Sequence, residues 1–146
     1  MRLLLLLTAV LAVLIAGCGD AEQEPAKTTV NESTALPLTV EREGGVAGIQ
    51  QRLVVRRDGT GTITSPREPA RELSTAETAA VRRALRELVF DGLDERYGPP
   101  DGTMVADGID YAFTAGGRTI VVQEMAEDVP EALGELKRAA GEAMNG

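Results

Sequence analysis

Residues 109–124 read IDYAFTAGGRTIVVQE, and this stretch determines the predicted fold class. Every second residue of its first half is apolar, at Ile109, Tyr111 and Phe113. That two-residue period indicates a strand with one buried face. Gly116-Gly117 predicts a tight turn, and the returning segment 119–124 is rich in β-branched residues. Because the stretch also holds two of the four aromatic residues, we predict a hairpin at the centre of a sheet.

The residues upstream predict three further strands. Apolar residues alternate over 36–40, and a second strand covers 49–57. Asp58-Gly59 is a strong hairpin signal, so a third strand follows over 60–65. Residues 66–72 carry two prolines and mixed charge, which predicts a connection.

Two amphipathic helices complete the pattern. Ser74 and Glu77 have the spacing of a capping box, which predicts a helix that runs to about Phe90. A second helix is predicted with Asp128 as its N-cap and Pro130 in its first turn. The expected order is β-β-β-α-β-β-α, an α+β fold in which two helices pack on one face of an antiparallel sheet of four to five strands.

The composition excludes the common catalytic constellations. The chain has no His and no Trp, and its one Cys is Cys18. Imidazole general bases, Ser-His and Cys-His pairs, Cys/His zinc sites and disulfides are therefore excluded. We predict a non-enzymatic domain without a metal or cofactor.

The N-terminus has the layout of a secretory signal. Met1-Arg2 precedes an apolar run over 3–15, and the small residues Ala16-Gly17 precede Cys18. This ending resembles the bacterial lipobox, which implies a signal peptide over 1–17 and an acylated Cys18. A plain signal peptide or a membrane helix with an incidental cysteine is the alternative, although the run is shorter than the roughly 20 residues that span a bilayer.

Residues 18–35 are polar and predict a disordered tether, so the folded domain is expected over 36–146. Without Arg2 the mature chain has 14 basic and 23 acidic side chains, a net charge of −9. Such a chain repels nucleic acid, so no nucleic-acid partner is expected. Its attachment to the bilayer therefore depends on the acyl chains at Cys18, on the extracytoplasmic face of a bacterial cell membrane.

Two loops are candidates for partner binding. The first contains Gly44, Gly45, Val46, Ala47 and Gly48, and it is either a bulged hairpin turn or a loop that presents its backbone to a partner. The second covers residues 91–108, and its acidic side chains include Asp94 and Asp101. Long loops of this kind are often functional or disordered. A calcium site or a paired-carboxylate hydrolase would also use such residues, but no EF-hand pattern is present.

Six short motifs follow one another along residues 38–140: Gly44–Ile49, Arg52–Arg56, Leu85–Val89, Asp107–Tyr111, Thr119–Val121 and Pro130–Leu136. In this order they resemble the emfourin family of small protein inhibitors of protealysin- and thermolysin-like metalloproteases. Two departures concern the inhibitory surface more than the fold. Val46 stands where a larger aromatic residue is common, and residues 66–71 read as an insertion.

Two functions follow from the sequence. The resemblance implies a lipid-anchored inhibitor of a secreted thermolysin-like metalloprotease, with the glycine-rich loop, Asp94 and Asp101 as partner-binding residues. The alternative is a non-inhibitory binding or accessory module of the cell envelope, which needs only the anchor, the tether and a small core.

Overall fold

The structure is a computed structural model that describes residues 35–99 and 105–146. The elements within these residues are β1 Leu38–Gly44, β2 Ile49–Val55, β3 Gly61–Ser65, β4 Glu68–Glu72, α1 Thr75–Arg86, β5 Arg96–Tyr97, β6 Ile109–Ala115, β7 Arg118–Gln123 and α2 Glu131–Asn145. The strands form one seven-stranded sheet in the order β4-β3-β2-β1-β6-β7-β5. All neighbouring strands are antiparallel except β5 and β7, which are parallel.

The α+β class is confirmed, but the sheet has more strands than the sequence predicts. Residues 66–72, predicted as a connection, contain β4. This strand forms an edge of the sheet, and its proline and charged residues are typical of an edge protected against further pairing. The 91–108 loop contains β5, a two-residue strand at the opposite edge. With these two strands the order becomes β-β-β-β-α-β-β-β-α.

The hairpin of β6 and β7 lies inside the sheet, as predicted, because β6 pairs with both β1 and β7. Its inward residues Phe113, Ile120 and Val122 are fully buried. Both helices pack on this same face, where Val81 and Leu85 of α1 and Leu133 and Leu136 of α2 enter the core. Burial of each such side chain stabilises the fold by about 1.5–3 kcal/mol.

Helix α1 begins with the predicted capping box. The Ser74 hydroxyl accepts a hydrogen bond from the Glu77 backbone N–H at 3.2 Å, and the Glu77 carboxylate accepts one from the Ser74 N–H at 2.7 Å. The predicted end at Phe90 is wrong, because the helix ends at Arg86. Leu88 and Phe90 are nevertheless buried, so the apolar pattern continued beyond the helix itself.

Helix α2 begins later than predicted. Its N-cap is Pro130 rather than Asp128, and no side chain caps its first turn. Its last turn contains no basic residue, and side chains from the sheet supply the missing partners. Gln51 donates to the Met144 carbonyl at 3.1 Å, and Arg71 donates to the Ala143 carbonyl. Donors at this end satisfy carbonyls that have no partner within the helix.

The two helices cover opposite halves of the sheet. Arg42 of β1 donates to Asn145 of α2 at 2.7 Å, and this places α2 over the half where β1 ends. Ala79 and Arg82 of α1 lie beside the 56–60 turn at the other end. Substitutions on α1 therefore provide controls that are remote from the β1–β2 loop.

Within the described ranges, no helix is long and apolar enough to cross a membrane. The predicted signal peptide, Cys18, the tether up to residue 34 and Asp101 lie outside those ranges. Ala35 and Leu36, at the start of the described chain, are buried in the core.

Candidate interaction site

The glycine loop, residues 44–48, connects β1 to β2 at one end of the sheet. Its backbone turns back on itself through a hydrogen bond from the Gly48 N–H to the Gly45 carbonyl at 2.9 Å. Gly44, Gly45 and Gly48 have φ values of 112°, 70° and 57°. L-residues with a side chain rarely adopt these values, so the turn requires glycine.

The 105–108 turn, which precedes β6, supports one side of the glycine loop. The Gly45 N–H donates to the Gly108 carbonyl at 3.1 Å, and the Gly108 N–H donates to the Val105 carbonyl at 3.0 Å. A Cβ atom at Gly44 would lie 2.2 Å from the Gly108 oxygen. The absence of a side chain at Gly44 therefore allows the two backbones to approach each other.

Arg67 supports the other side of the glycine loop. This residue lies in the β3–β4 turn, and its guanidinium donates to the Ala47 carbonyl at 2.7 Å. Val46, the residue before Ala47, is 90% exposed. The loop is thus held on both sides, while its one large apolar side chain points into solvent.

Asp94, predicted as a partner-binding residue, does not lie beside the glycine loop. It is exposed, and its backbone N–H donates to the Tyr97 hydroxyl at 3.0 Å. It precedes β5, which lies three strands from β1, a distance of about 14 Å across the sheet. The neighbouring Glu95 carbonyl accepts a hydrogen bond from the Val121 N–H, in the middle of β7. This contact lies away from the end of the sheet that carries the glycine loop.

The two ends of the second candidate loop, residues 91–108, therefore lie in different places. Its last part, the 105–108 turn, contacts the glycine loop, but Asp94 is remote from it. In the described part of the chain, no group of three or more acidic side chains is placed to hold a metal ion. The sequence reasoning missed Gly108 and Arg67, because only tertiary pairing brings them to the loop.

No family model, curated protein or solved structure matches this chain. The fold and the site therefore define a class only: an α+β domain with one helix-covered sheet face and a supported, protruding glycine loop. The assignment of a function depends on the residues and geometry of the chain itself.

Proposed function

We propose that the protein is a lipoprotein, anchored through acylated Cys18 on the extracytoplasmic face of a bacterial membrane, that inhibits thermolysin-like metalloproteases with its glycine loop. The observation that carries the proposal is the exposure of Val46 on a loop supported on both sides. The target class comes from the motif order along residues 38–140, and the anchor comes from the apolar leader before Cys18.

A supported loop is suited to inhibition for an energetic reason. Binding orders flexible segments at a cost of about 0.5–1.5 kcal/mol for each immobilised side chain, and a loop that is already ordered avoids part of that cost. The hydrogen bonds to Gly108 and from Arg67 act on the backbone on either side of Val46. Val46 is therefore available as an anchor for an apolar pocket, while the loop backbone stays in place.

The glycines allow the backbone of this loop to reach the bottom of a narrow cleft. Gly45 and Gly48 have no side chain to separate their carbonyls from a partner. The domain contains no imidazole and no thiol, because the only Cys is the anchor. An approach to a catalytic zinc would therefore use an oxygen atom, which zinc accepts from carboxylates and carbonyls. The position of Asp94 favours a loop carbonyl over that side chain.

The test is an inhibition assay with the mature chain, residues 18–146, in which Cys18→Ser keeps the protein soluble. Increasing amounts are added to thermolysin and, in parallel, to a serine protease. We expect stoichiometric loss of thermolysin activity and no effect on the serine protease. Digestion of the domain by thermolysin without inhibition would contradict the proposal and favour the alternative, a non-inhibitory accessory module.

A variant of Gly45 tests whether the loop is the inhibitory element. An added Cβ at Gly45 would lie 3.5 Å from its nearest neighbour, the Ile109 side chain, so it meets no clash, and the φ of 70° strains the backbone only locally. A bulky side chain, as in Gly45→Phe, would obstruct the loop surface. We expect weaker inhibition with a retained fold, and an unchanged inhibition constant would exclude the loop from the mechanism.

A further inference from the structure

The exposed large apolar side chains of the described residues lie at one end of the molecule. They are Val46, Met125 and Val105, with exposed fractions of 90%, 62% and 42%. Val46 lies in the glycine loop, Val105 precedes β6 and Met125 follows β7. Each of these three described side chains thus belongs to a different connection.

Backbone pairing brings these three connections together. Gly44 pairs with Ile109 across β1 and β6, and the Gly45 N–H donates to the Gly108 carbonyl. On the other side of β6, the Glu124 N–H donates to the Ile109 carbonyl at 2.8 Å, which places Met125 beside the same strand end. We call this group of Val46, Val105 and Met125 the three-turn end.

A cleft of about 380 Å³ opens at the three-turn end, and two acidic side chains line it. Glu43 and Asp110 are direct neighbours across β1 and β6. Like charges in this position destabilise a sheet. Asp110 lies 3.7 Å from Arg96, whereas Glu43 forms no ion pair within residues 35–99 and 105–146. The cleft therefore has an excess of negative charge beside exposed apolar groups.

We infer that the three-turn end docks a protein surface that presents a lysine or arginine side chain between apolar groups. The basic side chain enters the cleft beside Glu43 and Asp110, and the apolar groups cover Val46, Val105 and Met125. This inference rests on the proposed function, because it takes the inhibited protease as the partner. It extends that proposal from one loop to three connections and gives the chemistry of the partner surface.

Inhibition of thermolysin by variants of the soluble mature chain tests the inference. We expect Met125→Asp and Val105→Asp to weaken inhibition about tenfold or more, as buried interface anchors do. Glu43→Gln should weaken it about threefold at low salt and reduce its salt dependence, because charge complementarity mainly accelerates association. Ala79→Asp on α1, beside the 56–60 turn, and Glu87→Gln at the C-cap of α1 make the same chemical changes at exposed positions outside the three-turn end, and they should leave inhibition unchanged.

The outcomes separate the inference from the proposed function. If the parent chain inhibits and Gly45→Phe weakens it, but the variants at 43, 105 and 125 behave like the α1 controls, the inference is wrong and the loop mechanism stands. If the parent chain does not inhibit, both are wrong. If urea unfolding shows that an aspartate variant is destabilised, the smaller changes Met125→Gln and Val105→Thr take its place. The inference requires that these variants also weaken inhibition.

Discussion

The backbone N–H of Gly45 donates a hydrogen bond to the carbonyl oxygen of Gly108 at 3.1 Å. This bond joins the loop between the first two strands to the turn that enters the central hairpin. The register pair Gly44–Ile109 lies directly beside it. The shape of the glycine loop therefore depends on the central sheet as well as on its own turn.

Gly44 and Gly45 should differ in their tolerance of a side chain. In Gly44→Ala the new Cβ would lie 2.2 Å from the Gly108 oxygen, with φ at 112°. We expect this variant to lose about 2–4 kcal/mol of unfolding free energy, from strain and displaced backbone together. Gly45→Ala meets no atom closer than 3.5 Å, so only the positive φ costs stability, about 1–2 kcal/mol. Urea unfolding of both variants measures the difference, and equal losses would contradict the described approach of the two backbones.

Arg71 should stabilise the contact between the two helices and the edge of the sheet. Its guanidinium donates to the Glu77 carboxylate at 3.0 and 3.1 Å and to the Ala143 carbonyl of α2. Because the side chain is partly exposed, we expect Arg71→Ala to cost about 1–2 kcal/mol of unfolding free energy. Arg71→Lys should recover only part of this, since an ammonium lacks the forked geometry. The matched control is Arg83→Ala, an exposed arginine of α1, and a loss as large in that variant would contradict the role of Arg71.

The capping box should make stability sensitive to acid. Hydrogen bonds from Ser74, and then the nearby Arg71, lower the pKa of Glu77 from its ordinary value of 4.5. A carboxyl whose folded-state pKa is lowered contributes stability above its unfolded-state pKa, and this is lost as the pH falls through the folded-state pKa. Ser74→Ala should therefore cost about 1 kcal/mol at neutral pH, and this cost should decrease as the pH falls below 4.5 and Glu77 becomes protonated. Urea unfolding at a series of pH values tests this, and a loss in Ser74→Ala that stays constant into acid would contradict it.

Membrane attachment should depend on Cys18 alone. If its thiol carries the lipid, Cys18→Ser prevents acylation, and the remaining acidic chain has no other predicted means of binding an anionic surface. We expect the parent protein to incorporate labelled palmitate and to sediment with the membrane fraction. The variant should incorporate no label and should be absent from that fraction. A Cys18→Ser protein that stays with the membrane would show that the apolar leader itself is the anchor.

The parts of the fold that are determined by residues close together in the sequence could be predicted from it. The β6–β7 hairpin follows from alternation around Gly116-Gly117, and the capping box follows from Ser74 and Glu77. Strand β4 was missed because an edge strand needs no alternating apolar pattern. Strand β5 was missed because two residues carry no period, and its parallel partner β7 is remote in sequence.

The candidate site likewise has a part that could be predicted from local sequence and a part that depends on the order of the strands. The glycines at 44, 45 and 48 identified a turn with unusual backbone angles, and the structure has positive φ at each of them. Neither the proximity of Gly108 nor the separation of Asp94 could be read from sequence, because both depend on the order β1-β6-β7-β5. For the same reason, the sequence alone does not bring Val105 and Met125 to the same end of the sheet.

The most direct test of the central claim is a titration of thermolysin with the soluble mature chain and its Val46→Asp variant. Val46 is the exposed tip of the loop, so a carboxylate there leaves the core untouched and opposes insertion into an apolar pocket. We predict stoichiometric inhibition by the parent chain, inhibition weakened about a hundredfold in Val46→Asp, and parent-like inhibition by Ala79→Asp. Equal inhibition by the parent and Val46→Asp, or none by the parent, would contradict the account.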